Sequence, residues 1–202
     1  MNRKLELIGT GPGALELLTE DARNSIEKAD TVIAFGRISE SVSEIRDDIV
    51  TVKKVDEVKE ILKENSEGRI AILASGDPCY FGINGYLIRN GIVPDRVISG
   101  ISSLQYMMSR LKRNSDDIIS KSFHGREPDF SEFRKGGSYF ILTDRKNSAD
   151  FISASLKEKG FTGKITIGAN LSYYDEYIEE KDIGEKFGEY SLSVAVVDLD
   201  VD

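Results

Sequence analysis

The sequence has few of the residues that metal sites and nucleophilic enzymes use. Its 202 residues include one cysteine, one histidine and no tryptophan. Because Cys79 stands alone, an internal disulfide is excluded, and we expect a protein of the reducing cytoplasm. One His and one Cys also exclude the usual zinc clusters, so we expect no metal site. Any Ser-His or Cys-His catalytic pair would have to use His124.

Long apolar runs and an excess of positive charge are also missing. No apolar run approaches the ~20 residues that span a bilayer. The first residues, Met1 to Glu6, are soon interrupted by charge, so we expect neither a membrane segment nor a signal peptide. Lys and Arg number 27 against 35 Asp and Glu, a formal net charge of −8. We therefore expect no nucleic-acid or membrane partner, although a local basic pocket remains open.

The remaining composition, 40% apolar and 31% charged, is typical of a globular protein. Strand-like and helix-like segments alternate along the chain, which predicts an α/β fold. Ile70–Ala74 is continuously apolar, as expected of a central strand buried on both faces. Thr19 and Asp56 are predicted N-caps of two helices.

The polar segment 112–117 is the predicted boundary between two α/β sub-domains, residues 1–112 and 113–202, with a cleft between them. In the second sub-domain the charged run 175–186 predicts a solvated hairpin. Strands are predicted there at 139–142, 165–167 and 192–199.

The segment Gly9–Gly13, which directly follows the first strand, formally matches the dinucleotide fingerprint G-x-G-x-x-[GA]. In that fingerprint the third glycine opens a helix, whereas here the next helix is predicted to begin near Thr19. The second strand also ends in Phe35-Gly36-Arg37 and not in an acidic residue. A tight turn explains the glycines equally well, but they would also let a ligand approach the main chain closely.

Two further segments lie at predicted strand ends, where open α/β sheets bind ligands. They are Ser75–Pro78 and Gly100–Ser103. Asp77 can accept hydrogen bonds from hydroxyl or ammonium groups, but Gly-Asp-Pro is also a common turn. Ser102 is predicted to cap a helix, whose free N–H groups could also hold a carboxylate.

Three loops of the second sub-domain carry its candidate residues. Ser122–Arg126 contains the single histidine beside Arg126, whose guanidinium suits a carboxylate-rich ligand. Leu142–Arg145 and Gly168–Tyr173 each follow an apolar strand. The alternative for His124 is a structural or merely exposed residue.

Three of these segments, in this order and at this spacing, resemble the tetrapyrrole (corrin/porphyrin) methylase family. They are Gly9–Gly13 with Leu18-Thr19 downstream, Ser75–Pro78 and Gly100–Ser103. The resemblance covers nearly the whole chain. It implies S-adenosylmethionine as cofactor, bound in the cleft between two α/β sub-domains, and a homodimer. The cofactor contacts that it implies by position are Pro12, Gly76, Asp77, Tyr80, Ser102, Ser103, Leu142, Thr143, Ala169 and Asn170.

Ser122–Arg126 and Asn170–Glu176 resemble one branch of that family, which methylates carbon C5 of a corrinoid precursor in cobalamin synthesis. Tyr174 stands where this branch has a proline. Some relatives carry a fused C15-methyltransferase and decarboxylase, which we expect here on a separate polypeptide. The alternatives are a member of the same family with another substrate and an NAD-type dinucleotide-binding protein.

The chemistry that the resemblance implies asks little of the side chains. A sulfonium methyl donor and an electron-rich ring carbon are both already reactive, so alignment and exclusion of water suffice. Because the substrate is edged with carboxylates, Arg37, Arg126 and Arg145, all in predicted loops, are its predicted contacts. His124 or Asp144 is the predicted acceptor of the ring proton lost after methylation, with water as a third possibility.

Overall fold

The structure is a computed structural model that describes residues 3–190 and 192–201. The chain divides into two compact units, residues 1–103 and 104–202. Helix α5 (Ser103–Leu111) starts at this division, so it falls almost wholly in the second unit. The boundary predicted near residue 112 lies after this helix, and the exact sub-domain limits stay a prediction.

The first unit is a parallel sheet with helices on both faces. Its strands are β1 (Lys4–Gly9), β2 (Thr31–Phe35), β3 (Val50–Val52), β4 (Arg69–Ala74) and β5 (Arg96–Ile98). They lie side by side in the order β3-β2-β4-β1-β5, all parallel. β4 lies in the centre and is buried from Ile70 onward, which confirms the prediction for this run.

Four α-helices connect the described strands of this unit. They are α1 (Glu20–Lys28), α2 (Arg37–Ser41), α3 (Val55–Glu64) and α4 (Asn84–Arg89). The Thr19 hydroxyl caps α1 by accepting the Ala22 N–H, as predicted. The N-cap predicted at Asp56 is wrong. Helix α3 begins after Lys54, because the carboxylate of Glu57 accepts the Lys54 N–H at 3.0 Å and fixes the start there.

Successive residues of the strands supply two separate cores, because side chains alternate across a sheet. Leu7 and Ile72 lie in the core that includes Val58 of α3. Their neighbours Ile8 and Leu73 lie in the opposite core, which includes α1. Burial on both faces explains why these strands have almost no polar residues.

The second unit is a mixed sheet. Its strands are β6 (Ile118–Ser122), β7 (Ser138–Leu142), β8 (Gly163–Ala169), β9 (Tyr177–Asp182) and β10 (Ser193–Leu199), and α6 (Ala149–Glu158) follows β7. The order is β6-β7-β10-β8-β9, with β6 and β7 parallel and the other pairs antiparallel. Three strands match their predictions. The charged run 175–186 instead contains edge strand β9, one arm of a hairpin with β8.

A charged pair ties the end of α5 to this sheet. The guanidinium of Arg113 binds the carboxylate of Asp198 through two hydrogen bonds, of 2.6 and 2.9 Å. The Ser138 hydroxyl donates to the same carboxylate. Bidentate pairing of this kind is among the stronger polar contacts in proteins. These contacts connect strands β7 and β10 to Arg113, two residues after the end of α5.

Candidate functional site

The loops after β1 and β4 are joined main chain to main chain at the carboxyl edge of the first sheet. Gly9 and Ala74 are partners at the ends of the two strands. Beyond them, the Gly76 N–H donates to the Gly11 carbonyl at 2.8 Å, and the Gly11 N–H donates to the Gly76 carbonyl at 3.2 Å. Gly76 has φ of +65°, which favours glycine.

The loop after β5 crosses the other two so closely that only glycine fits. A Cβ on Gly100 would lie 2.2 Å from the carbonyl oxygen of Gly76 and 2.8 Å from the carbonyl carbon of Gly9. A Cβ on Gly9 would lie 2.5 Å from the Gly100 nitrogen. We call Gly9, Gly76 and Gly100 the glycine crossing. Because its three residues are glycines, they contribute only main-chain atoms to the crossing.

Asp77 holds two of these loops together. Its Oδ1 accepts the Cys79 N–H at 2.7 Å, and its Oδ2 accepts the Gly100 N–H at 3.3 Å. The turn that Gly-Asp-Pro suggested is therefore present. Each carboxylate oxygen can accept more than one hydrogen bond, so Asp77 can also accept from a ligand hydroxyl or ammonium group.

The other predicted contacts of the first unit lie around the crossing or beside it. Ser102 is buried and directly precedes α5, and a Cβ on Gly76 would lie 3.9 Å from its Cα. Pro12 is buried, whereas Ser103 and Tyr80 are half-buried. The structure thus brings Gly76, Asp77 and Ser102 together. Their role as cofactor contacts stays a prediction.

The Gly9–Gly13 turn does not open a helix. It leads into a 3-10 turn at Leu15–Leu17, and α1 begins only at Glu20. A dinucleotide fold needs a helix N-terminus at the glycine turn to bind the pyrophosphate. This geometry disfavours the NAD-type alternative.

The predicted residues of the second unit share one edge of its sheet. The ends of β6 and β7 are level, because Ser122 pairs with Leu142. Leu142 faces Val194 at the start of β10, and the adjacent Ser193 faces Ala169 at the end of β8. The predicted residues on or just beyond this edge are His124, Leu142, Thr143, Asp144, Ala169 and Asn170.

His124 is oriented by the neighbouring loop. Its Nδ1 lies 3.0 Å from the carbonyl oxygen of Thr143, and the ring is otherwise exposed. A carbonyl can only accept, so Nδ1 carries the proton and Nε2 of the neutral ring is an acceptor. Thr143 is itself fixed, since its hydroxyl donates to the Ser193 carbonyl at 2.6 Å.

Asp144 organises the same loops. It accepts the Asn147 N–H at 2.7 Å and the Gly125 N–H at 2.6 Å. The hydrogen bond from Asn147 and then that from Gly125 lower the pKa of Asp144 below its ordinary value. A carboxylate that is so stabilised is a weak proton acceptor. Asp144 is therefore better suited to holding the loop of His124 than to removing a proton.

Asn170 is held in a left-handed conformation, with φ of +47°. Its N–H donates to the Leu192 carbonyl at 3.0 Å, and its Nδ2 donates to Asp175 at 2.8 Å. Its Oδ1 is buried without a partner among the described residues, as are those of Asn84, beside the Asp77 loop, and Asn147. Buried acceptors normally have donors, so we expect a ligand or a water at each of these three oxygens.

The three predicted arginines are all exposed. Arg126 and Arg145 lie in the loops after β6 and β7, as expected. Arg37 was expected in a loop, but it is the first residue of α2, after the left-handed Gly36. Because β2 pairs in parallel with β4, Arg37 follows a strand that ends at the same carboxyl edge of the first sheet as the crossing.

Sequence reasoning missed Glu176 and Asn147. Glu176 has a side chain only 13% exposed, although it lies in a charged run. Asn147 donates from Nδ2 to the carbonyls of Phe123 and Arg126. The one sequence signal for Glu176 was its place at the end of segment 170–176, which resembles a branch of the family. Nothing in the sequence singled out Asn147.

Neither a membrane-spanning helix nor a cluster of metal ligands occurs in the described part of the chain. The helices within residues 3–190 and 192–201 are too short or too polar to span a bilayer. The same part of the chain has no group of three His, Cys, Asp or Glu side chains placed to hold a metal ion.

Residues 4–186 match the family model of the Tetrapyrrole (Corrin/Porphyrin) Methylases. A probable cobalt-precorrin-7 C(5)-methyltransferase of Methanocaldococcus jannaschii is 34% identical, over 96% of this chain and 97% of the relative. A cobalt-precorrin-7 C(5)-methyltransferase of Salmonella typhimurium is 26% identical, over 96% of this chain and 98% of the relative.

Solved structures share the fold. A precorrin-6Y methylase of Archaeoglobus fulgidus superposes with a TM-score of 0.77 at 24% identity, covering 98% of this chain and 99% of that one. A uroporphyrin-III C-methyl transferase of Thermus thermophilus, complexed with S-adenyl homocysteine, gives 0.79 at 23% identity, covering 96% and 97%. Given the span of the family match and the 34% identity, the chain belongs to the tetrapyrrole (corrin/porphyrin) methylase family.

Proposed function

We propose that this protein is an S-adenosylmethionine-dependent C-methyltransferase acting on C5 of cobalt-precorrin-7, a corrinoid precursor in cobalamin biosynthesis. The observation that carries the proposal is the likeness, at 34% identity over 96% of this chain, to the M. jannaschii relative of that description. The segments Ser122–Arg126 and Asn170–Glu176 support the same branch. With its single cysteine, the chain suits catalysis in the cytoplasm.

The residues present fit S-adenosylmethionine. This molecule carries an ammonium group, ribose hydroxyls and an adenine amino group, all of which donate hydrogen bonds. Acceptors with free capacity are Asp77 and the unpaired buried oxygen of Asn84 in the first unit, and the unpaired buried oxygens of Asn147 and Asn170 in the second. Within the glycine crossing, Gly76 leaves space for a ligand beside its main chain, because the nearest atom to an added Cβ would be 3.9 Å away. The space beside Gly9 and Gly100 is filled by main chain of the neighbouring loops.

Catalysis then rests mainly on placement. When bound, S-adenosylmethionine supplies a methyl group that its sulfonium has already activated. The protein has to keep the reacting atoms in line at ~3–3.5 Å and exclude water. A rigid main-chain crossing suits that task, since its geometry does not depend on side-chain rotamers.

We assign His124 as the acceptor of the proton that the corrinoid ring loses after methylation. Its Nδ1 is committed to the Thr143 carbonyl, which leaves Nε2 to accept. Asp144, with two N–H donors and a lowered pKa, positions this loop instead. Arg126 and Arg145 lie in the same two loops and are assigned to the carboxylates of the corrinoid, with Arg37 as a further contact.

Calorimetric titration with S-adenosylhomocysteine tests the cofactor, with NAD and NADP as controls. We expect micromolar binding of one S-adenosylhomocysteine per chain and no nicotinamide binding. Asp77→Asn should weaken the affinity about tenfold, the equivalent of ~1.4 kcal/mol. Binding of NAD in place of the adenosyl ligand would overturn the proposal.

Cys79 provides a second readout that needs no substrate. It is exposed and lies two residues beyond Asp77. We expect saturating S-adenosylhomocysteine to slow reaction of this thiol with a thiol reagent at least several-fold, and NAD to leave the rate unchanged. Methylation of cobalt-precorrin-7 by the purified protein, with C5 identified by NMR, then tests the substrate.

A homodimer is part of the proposal. Phe81 before α4, and Tyr86 and Ile88 on it, are 40%, 49% and 47% exposed. Exposed large apolar side chains are candidates for burial in an interface, and we assign Ile88 to contact with a second copy of the chain. Light scattering should show a dimer that Ile88→Asp disrupts and that Ile119→Asp, a comparably exposed site on β6, leaves intact.

A further inference from the structure

The loop after β8 is strained. Within three positions, both Asn170 and Ser172 have positive φ, of +47° and +69°. Asparagine tolerates this conformation, but for serine it is uncommon and costs ~1–3 kcal/mol. Surrounding contacts must therefore impose the conformation.

The side chain of Glu176 supplies those contacts. Its Oε2 accepts the Ser172 N–H at 2.7 Å, and its Oε1 accepts from Nε of Arg110 on α5, also at 2.7 Å. Tyr106, one helical turn earlier on α5, also hydrogen-bonds to it. Burial raises the pKa of Glu176, but these donors outweigh burial, and its pKa lies below the ordinary value. The carboxylate therefore stays ionised and binds the strained loop to α5.

Glu176 is linked to Asn170 through the loop itself. Its N–H donates to the Tyr173 carbonyl, and the Tyr173 N–H donates to the Asn170 carbonyl, both at 3.0 Å. Its neighbour Asp175 accepts from Nδ2 of Asn170 at 2.8 Å. Because Nδ2 is held there, Oδ1 of Asn170 is directed away, buried and without a partner among the described residues.

We propose that Glu176 is a positioning residue for the cofactor, which locks the loop 170–176 against α5 so that the Asn170 carboxamide oxygen is preset to accept from the ligand. This inference rests on the proposed function. A preset acceptor binds without the cost of ordering the loop, so affinity is lost when the lock is removed.

Glu176→Gln tests the lock, because the amide keeps the size of the side chain but loses one acceptor and the charge. The matched control is Glu189→Gln, at an exposed position of the same unit. We expect Glu176→Gln to raise the Kd for S-adenosylhomocysteine about tenfold and to speed hydrogen exchange of the Ser172 amide. The control should change neither. Should the first variant fail to fold, Arg110→Gln removes only one contact of Glu176 and is expected to raise Kd about threefold.

A double variant separates positioning from a merely structural role. If Glu176 acts through the Asn170 side chain, Glu176→Gln has almost no further effect on Kd in an Asn170→Gly background. Glycine keeps the positive φ accessible there. In steady state, KM for S-adenosylmethionine should rise about tenfold while kcat at saturation stays within twofold.

Two results would overturn the inference. One is an unchanged Kd and unchanged Ser172 exchange in Glu176→Gln; the other is a tenfold loss that persists fully in the Asn170→Gly background. Failure of the proposed function looks different, since the wild-type protein itself would not bind S-adenosylhomocysteine.

Discussion

The imidazole Nδ1 of His124 lies 3.0 Å from the carbonyl oxygen of Thr143. The loop after β7 therefore sets the tautomer of His124, which lies in the loop after β6. The two loops are neighbours because β6 and β7 run parallel and end level. Asp144 adds a second link by accepting the Gly125 N–H. The single histidine is thus oriented without being enclosed.

The first prediction concerns this ring. General bases typically contribute 10²–10⁴-fold, so His124→Gln should slow the loss of the ring proton, and with it formation of the final methylated product in a single turnover, about 100-fold. Binding of S-adenosylhomocysteine should stay unchanged. Lys146→Gln, an exposed neighbour paired with Glu127, is the control and should react at the wild-type rate. A normal rate in His124→Gln would mean that Asp144 or water takes the proton.

The second prediction concerns the glycine crossing. Gly100→Ala forces a Cβ to within 2.2 Å of the Gly76 carbonyl oxygen, so the main chain must move. We expect a loss of about 3 kcal/mol in the free energy of unfolding, together with loss of adenosyl binding. In Gly85→Ala the nearest contact is the flexible end of Arg89, at 3.4 Å. That helical site should gain up to about 1 kcal/mol. Urea denaturation compares the two, and equal stabilities would contradict the steric argument.

The third prediction follows from the Arg113–Asp198 pair. Burial raises the pKa of Asp198, but hydrogen bonds from Arg113 and Ser138 outweigh it, and the pKa falls below its ordinary value. A lowered folded-state pKa stabilises the protein above the unfolded value of about 3.9, and this stabilisation is lost as pH falls through the folded value.

Asp198→Asn should therefore cost about 1.5–3 kcal/mol at pH 7, and the difference from wild type should shrink below about pH 4. Asp182→Asn breaks an exposed pair with Lys164 and should cost less than about 0.5 kcal/mol. Denaturation curves between pH 3 and pH 7 provide the measurement. A difference independent of pH would rule out this linkage.

The fourth prediction concerns the substrate. Arg126→Ala and Arg145→Ala should each raise KM for the corrinoid roughly three- to tenfold and leave the Kd for S-adenosylhomocysteine unchanged, because charge pairing with carboxylates is lost. The salt dependence of KM should weaken as well. Lys135→Ala is the control, because Lys135 is an exposed cation just before the start of β7, at the opposite end of that strand from Arg145. An equal effect of all three would indicate only a loss of net charge.

Much of the fold was predictable because burial dictates local sequence. β4 is apolar throughout since helices cover both faces, and Thr19 caps α1 through the bond that its residue type favours. β6 was missed because it is a half-exposed edge strand, reading Ile-Ile-Ser-Lys-Ser. α2 has only five residues, too few to show an apolar period.

The site was predictable in position but not in detail. Strand ends located Asp77, His124 and Asn170, because ligands bind at the carboxyl edge of such sheets. The sequence could not show which donors occupy each carboxylate, and so could not separate the roles of His124 and Asp144. Glu176 lies in a charged run, where the sequence predicts exposure. Its low exposure arises from contact with α5, which is far from it in sequence.

The glycine crossing also limits how this protein can diverge. Gly9, Gly76 and Gly100 offer no side chain to exchange, and any substitution at Gly9 or Gly100 collides with main chain. Single substitutions therefore cannot change this main-chain arrangement step by step into another one. Arg126 and Arg145, by contrast, are exposed and replaceable one at a time. A new substrate specificity can therefore arise in the loops of the second unit, while the main-chain geometry of the crossing in the first unit stays the same.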